Sequence, residues 1–167
     1  AFVKNHELQI RALAEPALGD VHLALVGEGP SESTLRRLTT DLGLAGRVHF
    51  LGARTDAHLL YGEFDAFVLS SIAEGTPMCL LEAMASEVPI VATAVGGIPA
   101  LLQAGERGVV VEALTPGAFA SAVHSVLTTD SAPMVEAARV HCETLWSLDA
   151  MMDRYLDLYD RIAAAVS

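Results

Sequence analysis

SSIAEGTPMCLLEAMASEVPIVATAVGGIPALL, residues 70–102, runs from the end of an apolar stretch through a loop, a helix-like segment and a second apolar stretch to a glycine pair. Within it PIVAT (89–93) is continuously apolar rather than alternating, the pattern of a strand covered by helices on both faces. Runs of the same kind recur at VHLALV (21–26), RVHFL (47–51), AFVLS (66–70) and GVVV (108–111), with helix-like segments between them. That alternation predicts an α/β fold, a Rossmann-like three-layer sandwich around a parallel sheet.

The intervals carry helix signals of their own. Ser31 can cap ESTLRRLTTDL and Gly43 can end it, while Thr55 or Asp56 can cap the shorter AHLLYGE. NHELQIRALAEPAL (5–18) reads as a first helix, so that a strand is expected to precede it. Helical periodicity returns at 116–128, 134–144 and 148–165 with no strand between. In the last of these Met151, Met152, Tyr155, Leu158, Tyr159 and Ile162 fall at helical spacing. That helix is expected to pack partly on this domain and partly toward another, and Trp146, Tyr155 and Tyr159 to serve packing rather than stacking on a ligand.

A chain of 167 residues, 52% hydrophobic and 19% charged, suffices for one well-buried domain over 1–167. Ten Lys and Arg against 21 Asp and Glu give a formal net charge of -11, which repels nucleic acid and anionic membrane faces. Cys79 and Cys142 lack metal-ligand spacing and are expected to be free thiols of a reducing compartment. No apolar run approaches the ~18 residues of a membrane span, and AFVKNHEL has no signal-peptide pattern. The expected setting is cytoplasmic. The six histidines are scattered, without i, i+4 pairing, and there is no D-x-D pattern, so neither a metal site nor a metal-dependent reaction is expected.

Glu74 and Glu82, seven residues apart in the pattern E-G-x-x-x-x-L-L-E-A-M-A, make residues 70–102 specific. This segment resembles the E-x7-E region of the family-4 retaining glycosyltransferases of the two-domain GT-B type, also called glycosyl transferases group 1. VKNHELQIRALA is similar to the segment after the first strand of that family's C-terminal domain, with Lys4 at the place of a phosphate-binding lysine. Residues 23–71 resemble the family's strand, G-x-G-P turn, helix and R-V-x-F-L-G order, with Gly27 and Gly29 in the turn. Four positions depart from it: Thr76-Pro77 replaces the usual F-G after E-G, Glu87 stands at a turn glycine, and Ala100 often corresponds to glutamate.

The resemblance implies a donor-binding half that takes a nucleotide diphosphate sugar, with no further cofactor. An N-terminal acceptor domain of the same full-length protein would be the partner, and any membrane contact would run through that domain. The fragment alone is expected to be inactive. Glu74 ends a strand, where open parallel sheets bind ligands, and Glu82 follows in the next helix. Amides of the first turn, from Thr76 to Cys79 (Thr76, Met78 and Cys79), would cradle the diphosphate, Pro77 having none to offer, and Gly75 beside them is counted among the donor-binding residues. By resemblance Glu82 would hold the ribose diol and Glu74 the transferred sugar near its anomeric centre. Gly96 and Gly97 would bring backbone close to that sugar, and Arg54, in the turn of the nucleobase pocket, would contact base or phosphate. The plainer readings stand beside these: a helix-start acid at 74, a solvated glutamate at 82, ordinary turn glycines and a surface arginine. If residues 74–82 were all helical, the two glutamates would be ~11 Å apart along the axis.

Three alternatives keep part of this pattern. A non-catalytic nucleotide-sugar-binding module and a GT-B-type epimerase domain share the donor site. A dinucleotide-dependent oxidoreductase does not fit, because GEGPSE lacks the third fingerprint glycine and no acid ends RVHFL.

Overall fold

A computed structural model describes residues 2–166. Five strands form where the continuous apolar runs predict them: β1 (Leu23–Val26), β2 (Val48–Gly52), β3 (Phe67–Leu69), β4 (Ile90–Thr93) and β5 (Val109–Val111). All pairings are parallel, β1 with β2 and β3-β4-β5 in that order, so the hydrogen-bonded ladders form two sets rather than one continuous sheet.

Strand β4 shows why continuous hydrophobicity is required. All four of its residues are buried, and successive side chains point to opposite faces. Ile90 and Ala92 join one core with Leu80, Leu81 and Met84 of α3 (Met78–Ala85), Ile98 and Leu101 of α4 (Ile98–Leu101), and Ala138 and Cys142 of α6 (Ala132–Trp146). Val91 joins the other, with Leu8 and Ile10 of α1 (His6–Leu13) and Phe119 and Val123 of α5 (Pro116–Thr128). Leu35 and Leu38 of α2 (Glu32–Asp41) pack against that second core. Two cores on the two faces of β4 give the expected three layers.

The helix ends differ in detail from expectation. Gly43 takes φ 70 after α2, as a C-terminal glycine should. Ser31 holds the N-cap position without a side-chain bond. AHLLYGE forms two 3-10 turns, Ala57–Leu59 and Tyr61–Glu63, instead of an α-helix. α1 stops at Leu13, and Pro16–Leu18 forms a separate 3-10 turn, because proline cannot continue the i to i−4 ladder. His22 and His49, far apart in sequence, stack with ring centroids 5.2 Å apart and with Nδ1 of His22 2.9 Å from Nε2 of His49. The parallel register of β1 and β2 brings them together.

α3 closes with a Schellman motif: Glu87 N–H donates to the Met84 carbonyl and Val88 N–H to the Ala83 carbonyl, both at 3.2 Å. The residue in the left-handed position is Glu87, at φ 56, where glycine is the usual occupant. A left-handed non-glycine residue costs ~1–2 kcal/mol, partly offset in a glycine variant by the more disordered unfolded chain, ~0.4–1 kcal/mol. Glu87→Gly should therefore raise stability by about 0.5–1 kcal/mol, seen as a higher urea midpoint at unchanged slope. An unchanged or lower midpoint would contradict the assignment of strain to this residue.

The last helix, α7 (Leu148–Val166), stands off the body, its principal contacts being with α6. Met151, Met152, Tyr155, Leu158, Tyr159 and Ile162 are all exposed. The expectation that they pack partly on this domain is not met, and Trp146, Tyr155 and Tyr159 are 45–63% exposed instead of serving a core. No described helix is long and apolar enough to cross a membrane.

Candidate functional site

Three segments distant in sequence meet at the carboxyl ends of β3 and β4. The backbone just before α1 is tied to the end of β3: Ile72 N–H donates to the Val3 carbonyl at 2.9 Å, and the Ser70 hydroxyl is shared between the Lys4 and Asn5 carbonyls, both at 2.9 Å. Asn5 turns the chain there in the left-handed region, φ 48, which asparagine tolerates better than most residues. Thr93 at the end of β4 donates to the Ser71 carbonyl at 2.6 Å. Ser70, Ser71 and Thr93 are completely buried, and these bonds satisfy their hydroxyls.

This scaffold delivers Lys4 to Glu74. The Lys4 Nζ lies 2.6 Å from Glu74 Oε1, and Ser71 Oγ donates to the same oxygen at 2.6 Å. Oε2 of Glu74 receives no hydrogen bond among the described residues. Burial pushes the Glu74 carboxyl up, but the bonds from Lys4 and Ser71 and the ammonium charge outweigh it and hold it below the ordinary glutamate range. A carboxylate depressed in the folded state stabilises the fold above its unfolded pKa, and that contribution is lost as pH falls through the folded one. At neutral pH the site therefore holds a fixed anion and a cation in contact.

Glu82 projects from α3 further along. Tyr61, buried in the 3-10 turn before β3, donates its hydroxyl to Glu82 Oε2 at 2.8 Å and lies 3.3 Å from the Cys79 carbonyl. α3 starts only at Met78, so Glu82 is four helical residues, about 6 Å of rise, from the helix start. Residues 74–77 form a loop, so the ~11 Å of rise expected for a continuous helix does not describe the separation of the two glutamates. Thr76 belongs to that loop and not to the first helical turn. Pro77 is the N-cap, with no side-chain cap bond, which leaves Met78 and Cys79 N–H groups ahead of the first helical acceptors.

Gly96 and Gly97 meet the same loop from the other side. Gly97 N–H donates to the Gly75 carbonyl at 3.1 Å. A Cβ on Gly96 would stand 1.7 Å from the Glu74 carbonyl oxygen, and one on Gly97 2.7 Å from the Gly75 carbonyl oxygen. These glycines set the position of the Glu74-Gly75 backbone.

The remaining candidates lie apart. Gly27, at φ 122, donates its N–H to the Gly52 carbonyl at 2.7 Å and joins the ends of β1 and β2. Gly29 and Gly52 line an open cleft of about 680 Å³ with Glu28, Glu32, Arg36 and Phe50. Lys4, Glu74 and Glu82 do not line it. Arg54 is exposed and forms a bidentate pair with Asp56 at 2.9 and 2.6 Å. Cys79 and Cys142 are free thiols. Among the described residues no group of three or more His, Cys, Asp or Glu could hold a metal ion. Asn5, Tyr61, Ser70, Ser71 and Thr93 were not among the sequence candidates.

The family model described as glycosyl transferases group 1 matches residues 2–129. Over 160 residues the chain is 35% identical to the lipopolysaccharide core biosynthesis glycosyltransferase LpsE of Rhizobium meliloti, covering 94% of this chain and 47% of that protein. A D-inositol 3-phosphate glycosyltransferase of Mycolicibacterium gilvum is 34% identical over 164 residues, 92% of this chain and 36% of the relative. The chain thus spans less than half the length of these relatives. Among solved structures, a glycosyltransferase of Rickettsia africae superposes with a TM-score of 0.86 at 26% identity, over 96% of this chain and 45% of the other. The Anabaena protein HepE in complex with UDP-glucose shares the fold, with a TM-score of 0.84 at 24% identity, over 96% of this chain and 46% of its own.

Proposed function

The chain belongs to the glycosyl transferases group 1 and matches one half of their GT-B architecture, and from this premise we propose that it binds the nucleotide diphosphate sugar from which a longer protein transfers the glycosyl group with retention of configuration. The observation that carries this reading is the convergence of Lys4, Glu74 and the uncapped start of α3 at the carboxyl ends of β3 and β4. Ligands of open parallel sheets bind at such ends, and backbone amides with a lysine suit a diphosphate. The open edges of β1 and β3 fit a further parallel strand from the remainder of that protein, whose other domain would hold the acceptor.

In this reading the diphosphate lies over the Met78 and Cys79 amides, within reach of Lys4. Charge that builds on the leaving diphosphate is offset by groups already in place, with no metal ion required. Ionised Glu74, with one oxygen committed to Lys4 and Ser71, offers the other to a sugar hydroxyl and favours a sugar that becomes cationic. Glu82, further along α3, receives the ribose diol.

The reading divides the work of the two carboxylates. Ribose contacts exist in donor and product alike, so Glu82→Gln should weaken nucleoside diphosphate binding by ~1.5–3 kcal/mol, the worth of a charged hydrogen bond. Glu74→Gln should leave that affinity nearly unchanged and lower turnover instead. Calorimetry of the complete protein with UDP, GDP and ADP measures the first effect. Equal losses in both variants, or none in either, would overturn the assignment.

A further inference from the structure

Glu82 is an exposed side chain on a helix surface, and an exposed glutamate ordinarily samples many rotamers, so that ordering it on ligand contact costs free energy. Here one partner is buried and cannot follow it. The Tyr61 ring is fixed in the core that contains Leu80 and Leu81 of the same helix, with its centroid 5.5 Å from that of Phe67. Its hydroxyl meets Glu82 Oε2 at 2.8 Å and stands 3.3 Å from the Cys79 carbonyl in the first turn of α3. We infer that Tyr61 is a positioning residue for ribose recognition, holding one oxygen of the Glu82 carboxylate so that the other is aimed at the ribose diol before the nucleotide arrives.

The inference rests on the proposed role of Glu82 and adds to it a residue that touches no ligand. A phenol suits the task. It carries a single proton, which it donates in a hydrogen bond to the carboxylate, and it brings no charge that would compete with the diphosphate. Burial first, and then the neighbouring Glu82 carboxylate, raise the Tyr61 phenol well above its ordinary range, so that it remains a donor at neutral pH. The same hydroxyl borders the turn that presents the Met78 and Cys79 amides, which places ribose and diphosphate contacts on one rigid support. Oε1 of Glu82 has no hydrogen bond among the described residues and is the oxygen left for the ligand.

The test uses Tyr61→Phe, which keeps the buried ring and removes only the hydroxyl, in the complete protein. Affinity is measured by calorimetry for whichever of UDP, GDP and ADP binds best and for its 2′,3′-dideoxy analogue. The wild type should prefer the ribose form by roughly tenfold or more. In Tyr61→Phe that preference should shrink several-fold while affinity for the dideoxy form stays within about twofold. Glu82→Gln should abolish the preference, and adding Tyr61→Phe to it should have no further effect, because the hydroxyl acts only through the carboxylate. Equal weakening of both nucleotides in Tyr61→Phe would mean a general packing role and overturn the inference. So would an unchanged preference in Tyr61→Phe beside a lost one in Glu82→Gln, which leaves the role of Glu82 intact. A preference that survives Glu82→Gln removes the reading of Glu82 and the inference with it.

Discussion

Gly96→Ala should destabilise the fold by ~2–5 kcal/mol and abolish measurable nucleoside diphosphate binding. Two costs add. Alanine at φ 55 would be held in the left-handed region, ~1–2 kcal/mol, and its Cβ would enter the Glu74 peptide, 1.7 Å from the carbonyl oxygen and 2.7 Å from the carbon. Neither atom belongs to a flexible side chain, so the loop must shift, at an overpacking cost of ~1–3 kcal/mol. The shift moves the 74–77 loop that leads into the Met78 and Cys79 amides of α3, besides taking Glu74 away from Lys4 and Ser71, so the damage falls on the site as well as the fold. Gly27→Ala is the control, because Gly27 also has positive φ but nothing within 4 Å of its added Cβ. That variant should lose stability through backbone strain alone. Urea unfolding and calorimetry of both variants decide the matter, and a Gly96→Ala protein with the wild-type midpoint and affinity would show that the two loops do not press on each other in solution.

Lys4→Met should lower nucleoside diphosphate affinity about 10- to 100-fold, the range of a lost charge-assisted hydrogen bond. Turnover of the complete enzyme should fall by about two to three orders of magnitude, as when one preorganised donor to a developing anion is removed. The ammonium has two possible partners in this site, Glu74 as observed and the diphosphate as proposed. Without it, Glu74 keeps only the Ser71 bond among those described, and an uncompensated carboxylate stands where the proposed function puts the charge of the leaving group. The double variant Lys4→Met with Glu74→Gln separates the partners. If Lys4 serves the diphosphate, affinity stays low when Glu74 is neutralised. If Lys4 only neutralises Glu74, the double variant recovers the binding that the single one lost, and the phosphate role is wrong.

Much of the arrangement was legible because it is written in local patterns. The strands are short apolar runs without alternation, and four of the five lie within the run that announced them, while β2 continues one residue past its own to Gly52. Glu74 and Glu82 were legible from spacing together with the residues around them, and Lys4 from the segment it opens. What escaped was made by contacts that no local pattern encodes. Tyr61 reads as one residue of a helix-like heptapeptide, and its meeting with Glu82 across 21 positions depends on how the 3-10 turn packs on α3. Ser70 and Ser71 read as a strand end, yet their hydroxyls bind Lys4, Asn5 and Glu74. Gly96 was legible as a turn glycine next to a ligand, whereas its nearest neighbour is the backbone of Glu74. The apolar face of α7 is a related case, since helical spacing says that a face is apolar but not what covers it.

The stand-off of α7 divides the molecule into parts with different opening free energies. Nineteen residues with an apolar stripe facing outward draw little stability from either core, and a helix of that length without tertiary support is marginal in water. Amide hydrogens of α7 therefore exchange through local fraying, while those of β4, buried on both faces, exchange only when the whole domain opens. An apolar surface laid on the stripe would order this helix first, and the order of α7 would then report on that contact.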